Sequence, residues 1–215
     1  MTAALCTVHV VDDDAPWRKS VTRLLSAVGY RVMEYESALQ FLETADVEDP
    51  GCILLDLRMP GLSGLQLQQR LAEMRRALPI IFVSGHGDIP TSVLAMKAGA
   101  EDFLTKPVAT DALLLAVELA TARDRENRNR QGKIDDLQSL VGALTPTERK
   151  VFDLVVRGRL NKQIAVDLGT AERTIKWHRH NLMEKLKVGS LAELVSLAER
   201  LGLVGAEELH DGGST

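Results

Sequence analysis

Two stretches, Thr7-Val8-His9-Val10-Val11-Asp12-Asp13-Asp14 and Cys52-Ile53-Leu54-Leu55-Asp56-Leu57-Arg58-Met59-Pro60-Gly61, decide the fold of the first half of this chain. Each is a short apolar run, without polar alternation, that stops abruptly on a carboxylate. Such runs suit strands buried on both faces, as in a parallel sheet. Three more short β-branched apolar runs follow: Arg31–Tyr35, Ile80–Ser84 and Asp102–Thr105. The intervening segments carry helical spacing, with Val21, Leu24, Leu25 and Val28 in one, Leu65, Leu67, Leu71 and Met74 in the next, and Leu94, Ala95 and Ala98 in a third. Alternating strands and helices predict an α/β domain with a five-stranded parallel doubly wound sheet. Ser37 with Gln40 reads as a capping box, and Gly29 and Gly99 stand where helices end on glycine.

The chain has 215 residues, 45% hydrophobic and 26% charged, which admits two modest domains and excludes wholesale disorder. No apolar run approaches the roughly 20 residues of a membrane span, and residues 1–11 lack a positive leader. Cys6 and Cys52 form no C-x-x-C pair and read as buried thiols in a reducing compartment, so a cytoplasmic protein without a membrane partner is expected. The net charge of −4 is unevenly spread. Residues 1–122 hold 10 Lys and Arg against 16 Asp and Glu, whereas residues 145–203 hold 11 against 7. An acidic first half and a basic last quarter imply different partners, and the basic part permits nucleic acid.

Open parallel sheets place their sites at the carboxyl ends of the strands. Asp12 and Asp13 end the first strand, Asp56 the third and Ser84 the fourth, while Lys106 follows the fifth just before Pro107. Carboxylates converging there would repel unless a divalent cation sat among them, and Mg²⁺ suits the all-oxygen set. A lysine and a hydroxyl facing a metal-bound carboxylate are what phosphoryl transfer to that carboxylate requires, with Asp56 as the nucleophile. Arg58 and His86 stand at the mouth, placed to orient water.

These motifs, with Ser84-Gly85-His86-Gly87 and Phe103-Leu104-Thr105-Lys106-Pro107, resemble the receiver domain of two-component response regulators over residues 5–122. The resemblance implies that Asp56 accepts phosphate from a sensor histidine kinase. It also implies that Asp12, Asp13, Asp56 and the main-chain carbonyl of Arg58 hold Mg²⁺, and that Ser84 and Lys106 contact the phosphoryl group. Phe103 is then the aromatic switch that follows Ser84. A haloacid dehalogenase-type phosphohydrolase shares such a pocket but needs a second acid two residues after the nucleophile, where Arg58 stands. A regulator that binds DNA without phosphorylation would be expected to lack pocket residues, and none is missing.

Residues 123–142 turn polar with a helical rhythm and read as a solvated helical linker. From Thr145-Pro146-Thr147-Glu148, a capping box with proline in the first turn, the pattern is wholly helical. Gly158 and Gly169 end the first two helices, a third spans 170–187, Ser190 with Glu193 caps a fourth, and 205–215 read as a disordered tail. On the third helix Ile175, Leu182 and Leu186 share one face, while Lys176, Trp177 and His180 lie opposite. A basic second helix after a tight turn suits a helix-turn-helix entering the major groove.

Leu144-Thr145-Pro146-Thr147-Glu148-Arg149, Asn161-Lys162-Gln163-Ile164-Ala165 and Thr174-Ile175-Lys176-Trp177-His178-Arg179 resemble the LuxR/NarL-type DNA-binding domain over residues 143–204. That resemblance makes Lys176, Trp177 and His180 the candidate base contacts, and Lys162, Thr174, Arg179 and Lys185 candidate phosphate contacts. The whole resembles a FixJ-type transcriptional response regulator. A phosphorylation-driven homodimer, built on the helix at 89–98 and the strand at 102–105, would bind double-stranded promoter DNA, with RNA polymerase as a further partner.

Overall fold

The computed structural model describes residues 6–74, 78–85 and 89–204. The expectations placed on His86 and on residues 205–215 lie outside them. The chain divides into two compact units, Met1–Asn129 and Arg130–Thr215.

In the first unit five strands, β1 (Thr7–Val11), β2 (Arg31–Tyr35), β3 (Gly51–Asp56), β4 (Ile80–Ser84) and β5 (Asp102–Thr105), form one sheet of order β2-β1-β3-β4-β5. All four pairings are parallel. Helices α1 (Ala15–Ala27), α2 (Ala38–Thr44), α3 (Gly64–Glu73), α4 (Ile89–Lys97) and α5 (Thr110–Gly142) complete the alternation. Every strand lies where its apolar run predicted, with β3 one residue longer. The period of two explains why these runs are continuously apolar. Cys52 and Leu54 pack with Val21 and Leu25 of α1 and Leu113 and Val117 of α5. Ile53 and Leu55 pack on the other face with Phe41 of α2, Leu67 of α3 and Ala95 of α4. Both faces are covered over the central strands β1, β3 and β4, which are buried throughout, whereas the edge strand β2 exposes Arg31, Met33 and Glu34.

Helix ends follow side-chain chemistry. Asp14 caps α1 by accepting from the Trp17 N–H, and Ser63 with Gln66 forms a full capping box on α3. Gly29 and Gly99 adopt φ of +94° and +91°, the left-handed turn expected after α1 and α4. At α2 the predicted box is shifted by one: Ser37 accepts from Gln40 N–H, but Gln40 returns its bond to the Glu36 N–H.

Helix α5 runs unbroken through the stretch read as a linker. Its residues up to 129 are not merely solvated. Asp124 is buried and accepts from the Gly51 N–H at 2.9 Å, and Arg128 binds Asp124 at 2.7 Å. Arg128 also donates to the carbonyls of Val47, Glu48 and Asp49, which fastens this part of α5 to the loop before β3. The last turns of α5 instead supply Leu137, Leu140 and Val141 to the core of the second unit.

That second unit adds α6 (Pro146–Val156), α7 (Asn161–Asp167), α8 (Glu172–Leu186) and α9 (Leu191–Arg200). Its core gathers Phe152, Ile164, Ile175, Leu182, Leu186 and Leu194. The Thr145–Glu148 capping box is complete. At α9 Ser190 accepts from Glu193 N–H, while Glu193 reaches the Gly189 N–H. Helix α8 begins two residues later than predicted, because the Thr170 N–H is spent on the Ala165 carbonyl, closing α7 around Gly169 at φ +60°.

Candidate functional site: an acidic pocket and a helix-turn-helix face

The strand order reverses between β1 and β3, and open α/β sheets bind ligands beyond the carboxyl ends of the strands at such a point. The three consecutive acids after β1 divide their work. Asp12 is fully buried, accepts from the Asp14 N–H at 2.9 Å through Oδ1 and has its own carbonyl held by Arg18. Asp13 points to solvent, and Asp14 is the cap of α1. Asp56 ends β3 with 7% of its surface exposed. Oxygens of Asp12, Asp13 and Asp56 lie within 4.8 Å of one another.

Lys106 reaches this cluster from the end of β5. Its Nζ lies 2.6 Å from Asp12 Oδ2 and 4.0 Å from Asp56 Oδ1. It also sits 4.3 Å from the centre of the Trp17 ring. Its N–H donates to the Ser84 carbonyl at 2.8 Å, and the peptide to Pro107 is cis. Ser84 is buried at the end of β4, one position beyond Val83, the ladder partner of Asp56. Phe103, partly buried, stands 6.2 Å centroid to centroid from Phe82. Arg58 is exposed. Gly64 allows the α3 start to approach, since a Cβ there would stand 2.4 Å from the Asp56 carbonyl oxygen.

Electrostatics match that crowding. Burial, then the neighbouring Asp12 charge, pushes Asp56 up to about 6, with Lys106 opposing. Burial raises Asp12 as well, against its bond from Lys106. Two strained carboxylates beside an exposed third are a hard-oxygen donor set that a small divalent cation would relieve. The residues present therefore fit Mg²⁺, as receiver domains generally use it.

In the second unit Ile175, Leu182 and Leu186 are buried as the helical wheel required. Trp177 is 59% exposed, edge-on to His178, and His180 and Lys176 are exposed, with Lys176 paired to Glu172 at 3.1 Å. Lys162 is exposed on α7, and Thr174 is half-buried in the first turn of α8. Two candidates are engaged within the domain. Arg179 donates to Asn161 Oδ1 at 2.7 Å, which ties α8 to α7. Lys185 donates to buried Glu148 at 2.6 Å, which ties the end of α8 to the start of α6. Burial pushes Glu148 up, yet the bonds from Lys185 and Thr145 outweigh it and hold the carboxyl below its usual range.

Comparison with known proteins agrees with both halves. Residues 8–118 match the response regulator receiver domain, and residues 142–198 match the luxR family of bacterial regulatory proteins. Nodulation protein W of Bradyrhizobium diazoefficiens is 46% identical over 91% of this chain and 86% of its own. Transcriptional regulatory protein FixJ of Azorhizobium caulinodans is 42% identical over 94% of this chain and 95% of its own. Among solved structures, response regulator StyR superposes with a TM-score of 0.82 at 47% identity, covering 92% of this chain and all of that one. Full-length FixJ from B. japonicum gives 0.56 at 37% identity, covering 94% and 100%.

Proposed function

Because this chain belongs to the two-component response regulators, as a receiver joined to a LuxR-type DNA-binding domain, we propose that Asp56 accepts a phosphoryl group from a sensor histidine kinase. The observation that carries this reading is the position of Asp56 at the end of β3, beside buried Asp12 and 4.0 Å from the Lys106 ammonium. An Asp56 carboxylate oxygen attacks phosphorus, the nitrogen–phosphorus bond of the kinase phosphohistidine breaks, and its electron pair returns to the imidazole. The product is an acyl phosphate on Asp56. Lys106 and the Ser84 hydroxyl bind the phosphoryl oxygens. Asp12, Asp13, Asp56 and the Arg58 carbonyl would hold Mg²⁺, which when bound neutralises charge on those oxygens. No dedicated enzyme activity is needed beyond this self-modification and its slow hydrolysis.

Phosphorylation adds about −1.5 to −2 charges to a buried site. Ser84 is drawn toward that charge, and Phe103 moves into the space it leaves. The change promotes homodimerisation through α4 and β5, where Ile89, Val93 and Leu94 are exposed apolar side chains on α4. Two DNA-binding domains then engage paired half-sites, α8 reading base edges through Lys176, Trp177 and His180. Lys162 and Thr174 contact backbone phosphates and fix the register.

Mixing the protein with Mg²⁺ and acetyl phosphate, and following mass, oligomeric state and promoter footprint together, tests the reading. Addition of one phosphoryl group, lost in Asp56→Asn, with a rise in dimer and in protection of DNA, is expected. Full labelling of Asp56→Asn would remove Asp56 as acceptor, and labelling without a change in size would remove dimerisation from the account.

A further inference from the structure

Among the described residues the Lys106 ammonium meets two carboxylates and one aromatic ring. It donates to Asp12 at 2.6 Å, lies 4.0 Å from Asp56, and rests 4.3 Å from the centre of the Trp17 ring. Trp17 is placed for this by the same local chemistry that shapes the acidic loop. Asp14 caps α1 through the Trp17 N–H, and Arg18, the next residue, grips the Asp12 carbonyl. The first turn of α1 is thus held against the end of β1 with the indole at the edge of the pocket.

The three contacts respond differently to a bound cation. Asp12 is the partner Lys106 holds most closely, and it is also one of the carboxylates that Mg²⁺ would claim. A divalent cation drawn to Asp12 competes with the ammonium for that charge and repels it. Asp56 in turn becomes the reacting group. The indole face alone attracts the ammonium without being needed by the metal or the phosphoryl group. A lysine side chain carries a flexible four-carbon stem, and a partner that survives metal binding keeps it from swinging into solvent.

Resting on the reading of Asp56 as phosphoacceptor, we propose that Trp17 is a positioning residue for Lys106: its ring face retains the ammonium beside Asp56 once Mg²⁺ weakens the bond to Asp12. Trp17 itself touches neither phosphate nor metal. It acts on the rate at which a phosphodonor is used by keeping the cation where charge develops.

The test uses the full chain. Trp17→Leu removes the π face and keeps an apolar side chain, whereas Trp17→Phe keeps a weaker π face. At saturating Mg²⁺, phosphorylation by acetyl phosphate should slow about fivefold in Trp17→Leu and by less in Trp17→Phe, with Mg²⁺ affinity unchanged in both. A second measurement reads the contact directly and does not depend on phosphate. The chain has two tryptophans, so Trp177→Phe leaves Trp17 as the sole indole emitter. In that background Lys106→Met should change Trp17 emission before any metal is added, and should remove most of the change that Mg²⁺ titration produces. Equal slowing in the Leu and Phe variants would overturn the proposal in favour of bulk, and so would Trp17 emission indifferent to Lys106→Met. If Trp17→Leu fails to fold, the Phe variant and the emission measurement decide. A wild-type chain that takes no phosphate would instead sink the reading of Asp56, while the emission result still judges Trp17.

Discussion

Replacing Asp56 by Asn should make the receiver more stable as well as unable to take phosphate. The carboxyl moves from 3.8 to about 6 on folding, chiefly through burial and then through Asp12. At about 1.4 kcal/mol for each tenfold change in proton affinity, the ionised form costs the fold about 3 kcal/mol. The side chain is only 10% exposed, so solvent screens little of this. Native Asp56 binds its proton more tightly than the unfolded chain does. Its protonated state therefore favours folding below about 3.8, and that contribution is lost as pH rises through about 6. Asn is neutral throughout and nearly isosteric, but Asp12 remains and shares the repulsion, so the expected gain at pH 7.5 is about 1–3 kcal/mol. By pH 5 about half of it should be gone. Urea unfolding in the presence of a chelator, followed by Trp17 emission in the Trp177→Phe background, measures this for the receiver alone. Added Mg²⁺ should stabilise wild type more than Asp56→Asn. An Asn variant no more stable than wild type at pH 7.5, or a gain that stays constant down to pH 5, would refute the charge-crowding argument.

Six other substitutions have distinct expected outcomes. Lys185→Met should lower the melting temperature of the DNA-binding domain while leaving the salt dependence of binding unchanged, because its ammonium serves Glu148; a salt slope smaller by about one would return it to the phosphate contacts. Lys176→Ala and Trp177→Ala should each cost about 1–3 kcal/mol on the cognate site in a gel-shift titration, whereas Lys162→Ala should weaken all sequences alike. Gly64→Ala should cost about 1–3 kcal/mol by overpacking against the Asp56 carbonyl and Phe82, read by denaturant unfolding. Arg58→Ala, at an exposed position two residues after Asp56, should change the lifetime of the acyl phosphate more than its formation rate, read by the decay of the phosphorylated mass.

How far the sequence carries the fold depends on whether a signal is local. The central strands β1, β3 and β4 are legible because a doubly covered parallel sheet demands apolar residues at consecutive positions; the edge strands β2 and β5 are less continuous and follow from their place in the alternation. The pocket was legible for a related reason: strand ends are visible in sequence, so Asp12, Asp56, Ser84 and Lys106 could be placed at one edge without knowing a distance. What stayed hidden depends on residues meeting across the fold. Nothing in the polar run at 123–130 distinguishes Asp124 and Arg128 from their solvated neighbours, since their partners lie more than 70 residues away at Gly51 and Glu48. By sequence Lys185 is a surface cation on a basic helix; in the fold it donates to Glu148 Oε2, the same oxygen that accepts the Thr145 N–H of the capping box.

Trp17 lies between these cases. Its place in the first turn after the strand that ends on Asp12 put it near the pocket, but only the course of β5 brings Lys106 over its ring. The same asymmetry explains why the acidic loop tolerates three adjacent carboxylates. One is neutralised by Lys106, one is left in solvent, and one is consumed by the helix cap. Lys106, which on the proposed reading would bind the phosphoryl oxygens, thus also balances the charge of Asp12. A divalent cation that bound Asp12 and Asp13 would compete with Lys106 for Asp12, so on the proposed reading metal binding and preparation of the phosphoryl site would be coupled electrostatically.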